Sequence, residues 1–144
     1  MNLVVRPSIK EDFNDVFELL MQLWPDKTLA ETTMFQNFQV GLTTETEIYV
    51  TALLYKRIVG FASVSLVHSL YHGGKMACVE ALVSDKNVRG QGIGSALMTR
   101  VMEEGLSRQC KALEIMIDNQ AHAVKFVKSK GFQLRGNAFE LKLI

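Results

Sequence analysis

Residues 89–94 have the composition and spacing of an anion-binding loop. They read Arg-Gly-Gln-Gly-Ile-Gly, between an apolar, strand-like stretch and a clear amphipathic helix. Glycine has no Cβ, so its main chain can approach a ligand closely. A helix that begins directly after such a loop points its free N–H groups and the positive end of its dipole into it. The pattern therefore predicts a cradle for a phosphate or pyrophosphate group.

Two common phosphate-binding loops fit this stretch poorly. A P-loop ends in Gly-Lys-Ser or Gly-Lys-Thr, whereas Gly94 is followed by Ser95. A dinucleotide fingerprint needs a third glycine, but its place is taken by Ser95 when counted from Gly90 and by Leu97 when counted from Gly92. A glycine turn without any ligand is also disfavoured, because three glycines cost conformational entropy on folding.

The composition predicts one globular domain over residues 1–144. Hydrophobic residues make up 48% of the chain and charged residues 22%, which is typical of a folded protein. A formal net charge of +1 gives no bulk attraction to nucleic acid or to an anionic membrane. Cys78 and Cys110 predict two buried free thiols rather than a disulfide. Without a signal-peptide pattern or an apolar run of membrane-spanning length, the chain is expected to be cytoplasmic.

The periodicity of the apolar residues predicts helices and strands on both sides of the loop. The predicted strands are Leu3–Arg6, Glu47–Leu54, Ile58–Val67, Met76–Ser84, Ala112–Ile117, Phe132–Arg135 and Phe139–Ile144. The predicted helices are Ser8–Trp24, Thr28–Leu42, Gly94–Arg108 and Ala121–Lys130. Ser8 and Glu11 have capping-box spacing, and residues 55–57 predict a hairpin turn. Together these elements predict a mixed α/β layer structure.

The loop and the order of elements resemble the GNAT superfamily of N-acetyltransferases. The loop of that family reads Arg/Gln-x-x-Gly-x-Gly/Ala, and Arg89, Gly92 and Gly94 fill its defined places. The strand over residues 79–83 is similar to the family's fourth strand, and residues 119–132 contain matches to its second motif. The resemblance implies an α/β (α+β) fold with a mostly antiparallel mixed sheet of six to seven strands. About four helices would flank this sheet, which would be splayed between strands 4 and 5.

The resemblance also implies acetyl-CoA as a co-substrate. In the family the pantetheine arm hydrogen-bonds to the fourth strand as an added strand would, and main-chain amides of the loop hold the pyrophosphate. The residues implied for binding are Leu82, Val83, Arg89, Gly90, Gln91, Gly92, Ile93, Gly94, Ser95, Asn119 and Phe126. Packing of the last helix on the sheet explains Phe126 equally well.

Glu80 is the candidate general base. An amine attacks a thioester only as the neutral base, so direct transfer needs a group that takes its proton. Glu80 stands on an otherwise apolar strand, where desolvation would make its carboxylate a stronger base, and family members often place a carboxylate near this point. A glutamate that faces solvent or pairs with a lysine is the structural alternative. The N–H of Leu82 or Val83 would meet the tetrahedral oxyanion.

The sequence departs from the family at the general acid. A tyrosine commonly follows the phenylalanine of the second motif, and Val127 stands in that place. Valine cannot donate a proton, so either Tyr71 or the ammonium product and water would supply it. The departure also leaves open a non-catalytic module that binds acyl-CoA.

The acceptor is expected to be a primary amine of a small molecule, bound by the first helices and the loop between the third and fourth strands. The candidate pocket residues are Trp24, Tyr49 and His72. Residues 23–25 and 69–74 are reminiscent of aminoglycoside 6′-N-acetyltransferases, while polyamine, amino-acid and peptide acceptors stay open. His68 and His72 lack an accompanying cluster of ligands, so no metal site is expected. The apolar strand predicted over residues 139–144 favours pairing across a homodimer.

Overall fold

A five-stranded mixed sheet forms the centre of the protein. The structure, a computed structural model, describes residues 2–117 and 121–144. The strands are β1 (Leu3–Pro7), β2 (Glu47–Leu54), β3 (Arg57–Ser69), β4 (Gly74–Ser84) and β5 (Ala112–Ile115). They lie side by side in chain order, and every pair is antiparallel except the parallel pair of β4 and β5.

Helices cover both faces of this sheet. They are α1 (Phe13–Leu23), α2 (Glu31–Leu42), α3 (Ile93–Ser107) and α4 (Ala121–Ser129), with short 3₁₀ turns at Lys10–Asp12 and Lys86–Val88. α1 and α2 pack on one face of the sheet, and α3 packs on the other. Over the described ranges, no helix combines the length and the apolar character that crossing a membrane requires.

Alternation along the strands divides the interior into two apolar cores, because successive side chains of a strand point to opposite faces. On β3, Ala62 and Val64 pack with Leu97 of α3. The neighbouring Phe61 points the other way and packs with Phe13 of α1. Both faces of the central strands are therefore buried, which positions β4 rigidly between its neighbours.

The predicted hairpin is confirmed. Leu54 pairs with Arg57, so only Tyr55 and Lys56 form the connection. These two residues have φ angles of 50° and 67°, and a two-residue type I′ turn requires positive φ at both positions.

The sheet has five strands, and the six to seven that the resemblance implied are not present. The predicted strands at residues 132–135 and 139–144 do not form. Within the described ranges, no main-chain hydrogen bond joins residues 133–144 to another part of the chain. The alternation in this segment is typical of a strand, but a strand also needs an edge that accepts its N–H and C=O groups. Among the residues that the structure describes, the segment meets no such edge.

The first helix begins later than predicted, after the 3₁₀ turn at Lys10–Asp12, and Ser8 does not cap it. Ser8 Oγ lies 2.6 Å from Thr51 Oγ1 on β2, away from the helix. Asp12 accepts the Ile9 N–H at 2.9 Å and forms two bonds of 2.8 and 2.9 Å with Arg6. Burial opposes the charged form of Asp12, but the bonds from Arg6 and Ile9 outweigh it and hold its pKa below the ordinary value.

We expect Asp12→Asn to lower the free energy of unfolding at neutral pH by about 1–3 kcal/mol, because the Arg6 guanidinium loses its charged partner. The pKa of Asp12 is lowered by folding, so its contribution is complete above the ordinary value of 3.8 and is lost as the pH falls through the lower folded value. Denaturant unfolding of both proteins at about pH 7 and about pH 3 measures the difference.

The exposed Glu18 on the same helix provides the matched control, Glu18→Gln, which should leave unfolding unchanged at both pH values. A difference between wild type and Asp12→Asn that is equally large at both pH values would contradict the ionic role of Asp12.

Candidate functional site

The predicted anion-binding loop joins β4 to α3, and two glycines shape it. Gly90 and Gly92 have φ angles of +83° and +80°, in the left-handed region that other residues rarely adopt. Gly92 is the N-cap of α3, and no side chain caps that end of the helix. The first helical bond runs from the Ala96 N–H to the Gly92 carbonyl at 3.0 Å. The N–H groups of residues 93–95 therefore point out of the helix end as free donors.

A cavity of about 250 Å³ opens beside these donors. It is lined by Ser84, Arg89, Gly90, Gly92, Ile93, Gly94, Ser95 and Phe126. A Cβ added at Gly94 would lie 3.5 Å from the Phe126 ring, so a larger side chain there would fill the space between the loop and α4. No atom of the described chain lies within 4 Å of a Cβ added at Gly90 or Gly92. The free donors, the arginine and the open space fit a diphosphate group.

Asp85 anchors the loop to the rest of the fold. Its carboxylate accepts the Asn87 N–H at 3.1 Å, Arg57 at 2.9 Å and the Gln22 amide at 3.5 Å. Gln22 in turn accepts the Lys86 N–H at 2.9 Å. The bond from Asn87, and then those from Arg57 and Gln22, hold the pKa of Asp85 below its ordinary value despite its burial. Sequence analysis missed this network, although the Asp-x-Asn spacing is a typical turn signal.

A β-bulge at Glu80 interrupts β4. Residues 63 and 64 of β3 pair with Ala81 and Val79, so Glu80 has no partner on that strand. On its other side β4 pairs with β5 only over residues 76–79. Pairing of β4 with β5 ends at Val79 and Ile115, while pairing of β4 with β3 resumes at Ala81. Beyond Val79 the outer edge of β4 has no strand partner within the described residues, and we call the space beside this edge the gap. The resemblance implied a splay between strands 4 and 5 at this place, and the splay stays a prediction.

Successive peptide groups of β4 point to alternate edges of the strand, and this determines which of them face the gap. The Asp85 N–H donates to the Val59 carbonyl on β3 at 2.7 Å. Peptide groups alternate between the two edges of a strand, so those of Val83 also point to β3, while those of Leu82 and Ser84 point into the gap. Of the two strand residues expected to bind the pantetheine arm, only Leu82 faces the gap. Ser84 also does so, and it was not predicted because the register cannot be read from the sequence.

Glu80 is exposed, which corrects the expectation of a desolvated carboxylate. The bulge turns it out of the apolar pattern of its strand. Burial raises the pKa of the Tyr49 hydroxyl, and the negative charges of Glu47 and Glu80 raise it further. The charge of Glu80 thus acts on Tyr49, which packs against the core that α1 and α2 form with the sheet.

The other predicted pocket residues lie apart from Glu80. Tyr71 is exposed in the β3–β4 turn, and the Arg135 guanidinium stacks 4.0 Å from its ring. His72 Nδ1 in the same turn lies 2.8 Å from Ser69 Oγ. Glu80 follows the start of β4 by six residues, or roughly 20 Å at the rise of a strand. The structure does not bring Tyr71 close to Glu80.

The remaining positions singled out in the sequence fall into four groups. Trp24 is half-buried and packs against the core under α1, which is the structural alternative to a ligand contact. Val127, in the place of the family's tyrosine, is 8% exposed and belongs to the interior. Arg89 and Gln91 are exposed on the loop. Asn119 lies outside the described residues.

Comparison with known protein families identifies the family of this chain. Residues 7–132 match the Acetyltransferase (GNAT) family. The chain belongs to this family. Acetyltransferases of this family use acetyl-CoA as the acyl donor. The cavity at the start of α3 has the donors that the pyrophosphate of this co-substrate requires.

Individual relatives agree with the family. The glucosamine 6-phosphate N-acetyltransferase of Trypanosoma brucei brucei is 30% identical over 88 residues, which are 60% of this chain and 58% of that protein. This chain thus spans little more than half the length of that relative.

Solved structures share the fold at low sequence identity. A transcriptional regulator from Bacillus halodurans C-125 has a TM-score of 0.88 at 20% identity, covering 99% of this chain and 100% of that one. The aminoglycoside N-acetyltransferase AAC(6′)-Iy in complex with CoA has a TM-score of 0.84 at 17% identity, covering 98% of this chain and 94% of that one.

We expect Gly92→Val to weaken CoA binding at least about tenfold, a loss of about 1.4 kcal/mol of binding free energy. The new side chain would enter the open space above the loop and strain the left-handed backbone there. Isothermal titration calorimetry with CoA measures the effect.

The matched control is Gly73→Val in the β3–β4 turn. Gly73 has a similar φ of +70° and equally open surroundings, so it carries the same backbone strain at a distance from the cavity. Both variants should lose comparable thermal stability, and only Gly92→Val should lose CoA affinity. Equal CoA affinity in the two variants would contradict the assignment of the cavity.

Proposed function

We propose that the protein transfers the acetyl group of acetyl-CoA to a primary amine of a small molecule by direct attack, with Glu80 taking the proton of the amine. The observation that carries this proposal is the position of Glu80. It is the unpaired residue of the bulge, and it directly follows the last residue of β4 that pairs with β5. Leu82, two residues further along, presents its peptide group to the gap. The Glu80 carboxylate and the free Leu82 N–H thus both lie where the gap begins.

The chain offers acetyl-CoA a continuous set of contacts. The N–H groups of residues 93–95 and the Arg89 side chain would hold the pyrophosphate. Leu82 and Ser84 would bind the pantetheine arm through their peptide groups, as strands bind an added strand. Phe126 of α4 would flank the arm from the far side of the cavity. When bound, the co-substrate supplies the acetyl thioester.

Each chemical requirement of the transfer has a residue near the bulge. Glu80 accepts the proton of the ammonium, directly or through a water, and leaves the neutral amine that attacks. The Leu82 N–H donates to the developing oxyanion. A thiolate with a parent pKa near 8.5 leaves readily without an acid. The burial of Val127 in the usual place of tyrosine is therefore compatible with turnover.

The charge around Tyr49 supports an amine as the acceptor. The negative charges of Glu47 and Glu80 both raise the pKa of the Tyr49 hydroxyl. This hydroxyl therefore lies in a region of negative potential. A protonated amine would be attracted to this spot. The T. brucei relative is named for acetylation of an amino-sugar phosphate, and AAC(6′)-Iy is named for aminoglycosides. We therefore place amino sugars first among the acceptors to be tried.

The test is release of free CoA thiol from acetyl-CoA in the presence of single amines. The panel contains glucosamine 6-phosphate, an aminoglycoside, a polyamine and a peptide amine. We expect turnover with at least one small amine and a fall of about 10²–10⁴-fold in kcat for Glu80→Gln, the usual contribution of a general base. The deficit should shrink as the pH rises, because more of the amine is then already neutral.

Glu103→Gln serves as the control, because Glu103 is exposed on α3, which packs on the opposite face of the sheet. CoA titration of each variant shows whether binding is intact. Tight CoA binding without turnover on any amine would instead support a non-catalytic acyl-CoA-binding module. A Glu80→Gln enzyme as fast as wild type at every pH would reject Glu80 as the base.

A further inference from the structure

Glu47 is a half-buried carboxylate to which the described part of the chain supplies no cation. Its Oε1 accepts the hydroxyl of Ser65 on β3 at 2.7 Å, which fixes its orientation. The ion pairs among the described residues do not include Glu47, whereas Glu114 on β5 is paired with Arg135. Burial of a charge without a counter-ion costs free energy, so a carboxylate in this position is suited to a cationic ligand.

Tyr49 lies on the same face of β2 as Glu47, because Ile48 between them points into the core under α3. Its ring stacks on Phe38 of α2, with 5.3 Å between the ring centroids and 9° between the ring planes. A Cβ added at Gly41 of α2 would overlap the Tyr49 hydroxyl. The glycine therefore gives this hydroxyl room to lie against the last turn of α2.

The end of α2 adds negative potential at the Tyr49 hydroxyl. Gly41 is the residue before the last of this helix, and its last turn contains no basic residue. The C-terminus of a helix carries the negative end of the helix dipole and attracts cations. The end of α2 and the carboxylate of Glu47 thus both favour a positive charge beside this hydroxyl.

Ser63 of β3 places a hydroxyl without a partner on the same face. It pairs with Tyr49 on one side and with Ala81 on the other. Its side chain points the same way as that of Phe61, two residues earlier, which packs in the core under α1 and α2. Ser63 is 7% exposed, and its Oγ has no hydrogen-bond partner among the described residues. A buried hydroxyl of this kind is rare and costs free energy, and an ammonium N–H would supply the missing bond.

We propose that Glu47, Tyr49 and Ser63 bind a second ammonium group of the acceptor, so that the acceptor is a molecule with at least two amino groups. This inference rests on the proposed function, because it concerns the acceptor of that same reaction.

The register of the sheet sets the spacing of the two ammonium groups. Tyr49, Ser63 and Ala81 lie side by side on adjacent strands, and Ala81 directly follows Glu80. Two strand spacings are roughly 10 Å, a separation that a diamine, a polyamine or an aminoglycoside can bridge. A phosphate group beside Tyr49 would instead be repelled by the carboxylate of Glu47 and by the end of α2. The site therefore favours an acceptor with several positive charges over an amino-sugar phosphate.

The first experiment compares paired ligands by calorimetry on the protein saturated with CoA. One pair is putrescine and the aminobutanol in which a hydroxyl replaces one of its amines, and the other is an aminoglycoside and glucosamine 6-phosphate. In at least one pair we expect the ligand with more amino groups to bind at least about tenfold more tightly. This preference should shrink with added salt, which screens the charges. Equal affinities within both pairs, or tighter binding of glucosamine 6-phosphate, would overturn the proposal.

Variants of the site test the residues by the same affinity ratio. Glu47→Gln should lower the ratio by about 10–100-fold, because a hydrogen bond to a charged group is lost. Ser63→Ala should lower it by about 2–10-fold without loss of thermal stability, since its hydroxyl has no bond to lose within the described chain. The control is Glu45→Gln, at an exposed glutamate in the turn before β2, which removes the same charge and should keep the ratio. An unchanged ratio in Glu47→Gln or in Ser63→Ala, or an equal loss in Glu45→Gln, is incompatible with the site.

Turnover, measured as release of CoA thiol, separates this inference from the proposed function. With a preferred acceptor, Glu47→Gln should raise KM, whereas Glu80→Gln should lower kcat. Turnover of amines without any preference for a second amino group would overturn the inference and leave the proposed function standing. Binding of a ligand with two amino groups that depends on Glu47, without turnover of any amine, would support the site and reject the proposed function.

Discussion

One extra residue in β4 marks the point where the strand loses its partner β5, and the proposed site lies at this point. Glu80 has no partner on β3, and the pairing of β4 with β5 stops at the residue before it. A strand that loses its neighbour exposes its peptide groups, and here Leu82 and Ser84 are the residues whose groups are freed. The same bulge takes Glu80 out of the buried pattern and places its carboxylate near Tyr49. The free edge of β4 and the exposed carboxylate of Glu80 thus both occur at the bulge.

The loop at the far end of β4 depends on that strand being held in place. Asp85 ties the end of β4 to Arg57 on β3, to Gln22 on α1 and to its own turn at Asn87. Its lowered pKa means that it stays charged at any pH where the protein is expected to work. The left-handed Gly92 can then start α3 without a side-chain cap, which leaves the helix N-terminus free for an anion. Residues 81–84 continue β4 as a regular strand from the bulge to the turn that Asp85 anchors, so the loop before α3 begins from a fixed position.

The two edge strands of the sheet differ in whether side chains bond to their outward peptide groups. At β1, arginine side chains and a proline occupy the outward peptide groups. At β5 the strand is short, and the chain that follows α4 passes it with a single ion pair from Arg135. Residues 133–144, the last twelve of the chain, form no strand, and no main-chain hydrogen bond joins them to another described segment. Alternation alone cannot form a sheet, because a strand also needs an edge that accepts its N–H and C=O groups.

The features of this fold that depend on residues close together in the sequence could be predicted from the sequence. The hairpin turn predicted at 55–57 and the existence of the four helices depend on neighbouring residues, and both are confirmed. The glycines at 90–94 lie in the loop before α3, as their spacing predicts. Three features depend on strand register and on distant neighbours. These are the exposure of Glu80, the choice between Leu82 and Val83 as the residue facing the gap, and the unpaired state of residues 133–144. A one-residue shift of register reverses the direction of every peptide group and side chain in a strand, and no local pattern in the sequence encodes that shift. The tertiary structure alone decides it, because register follows from how helices and strands pack together.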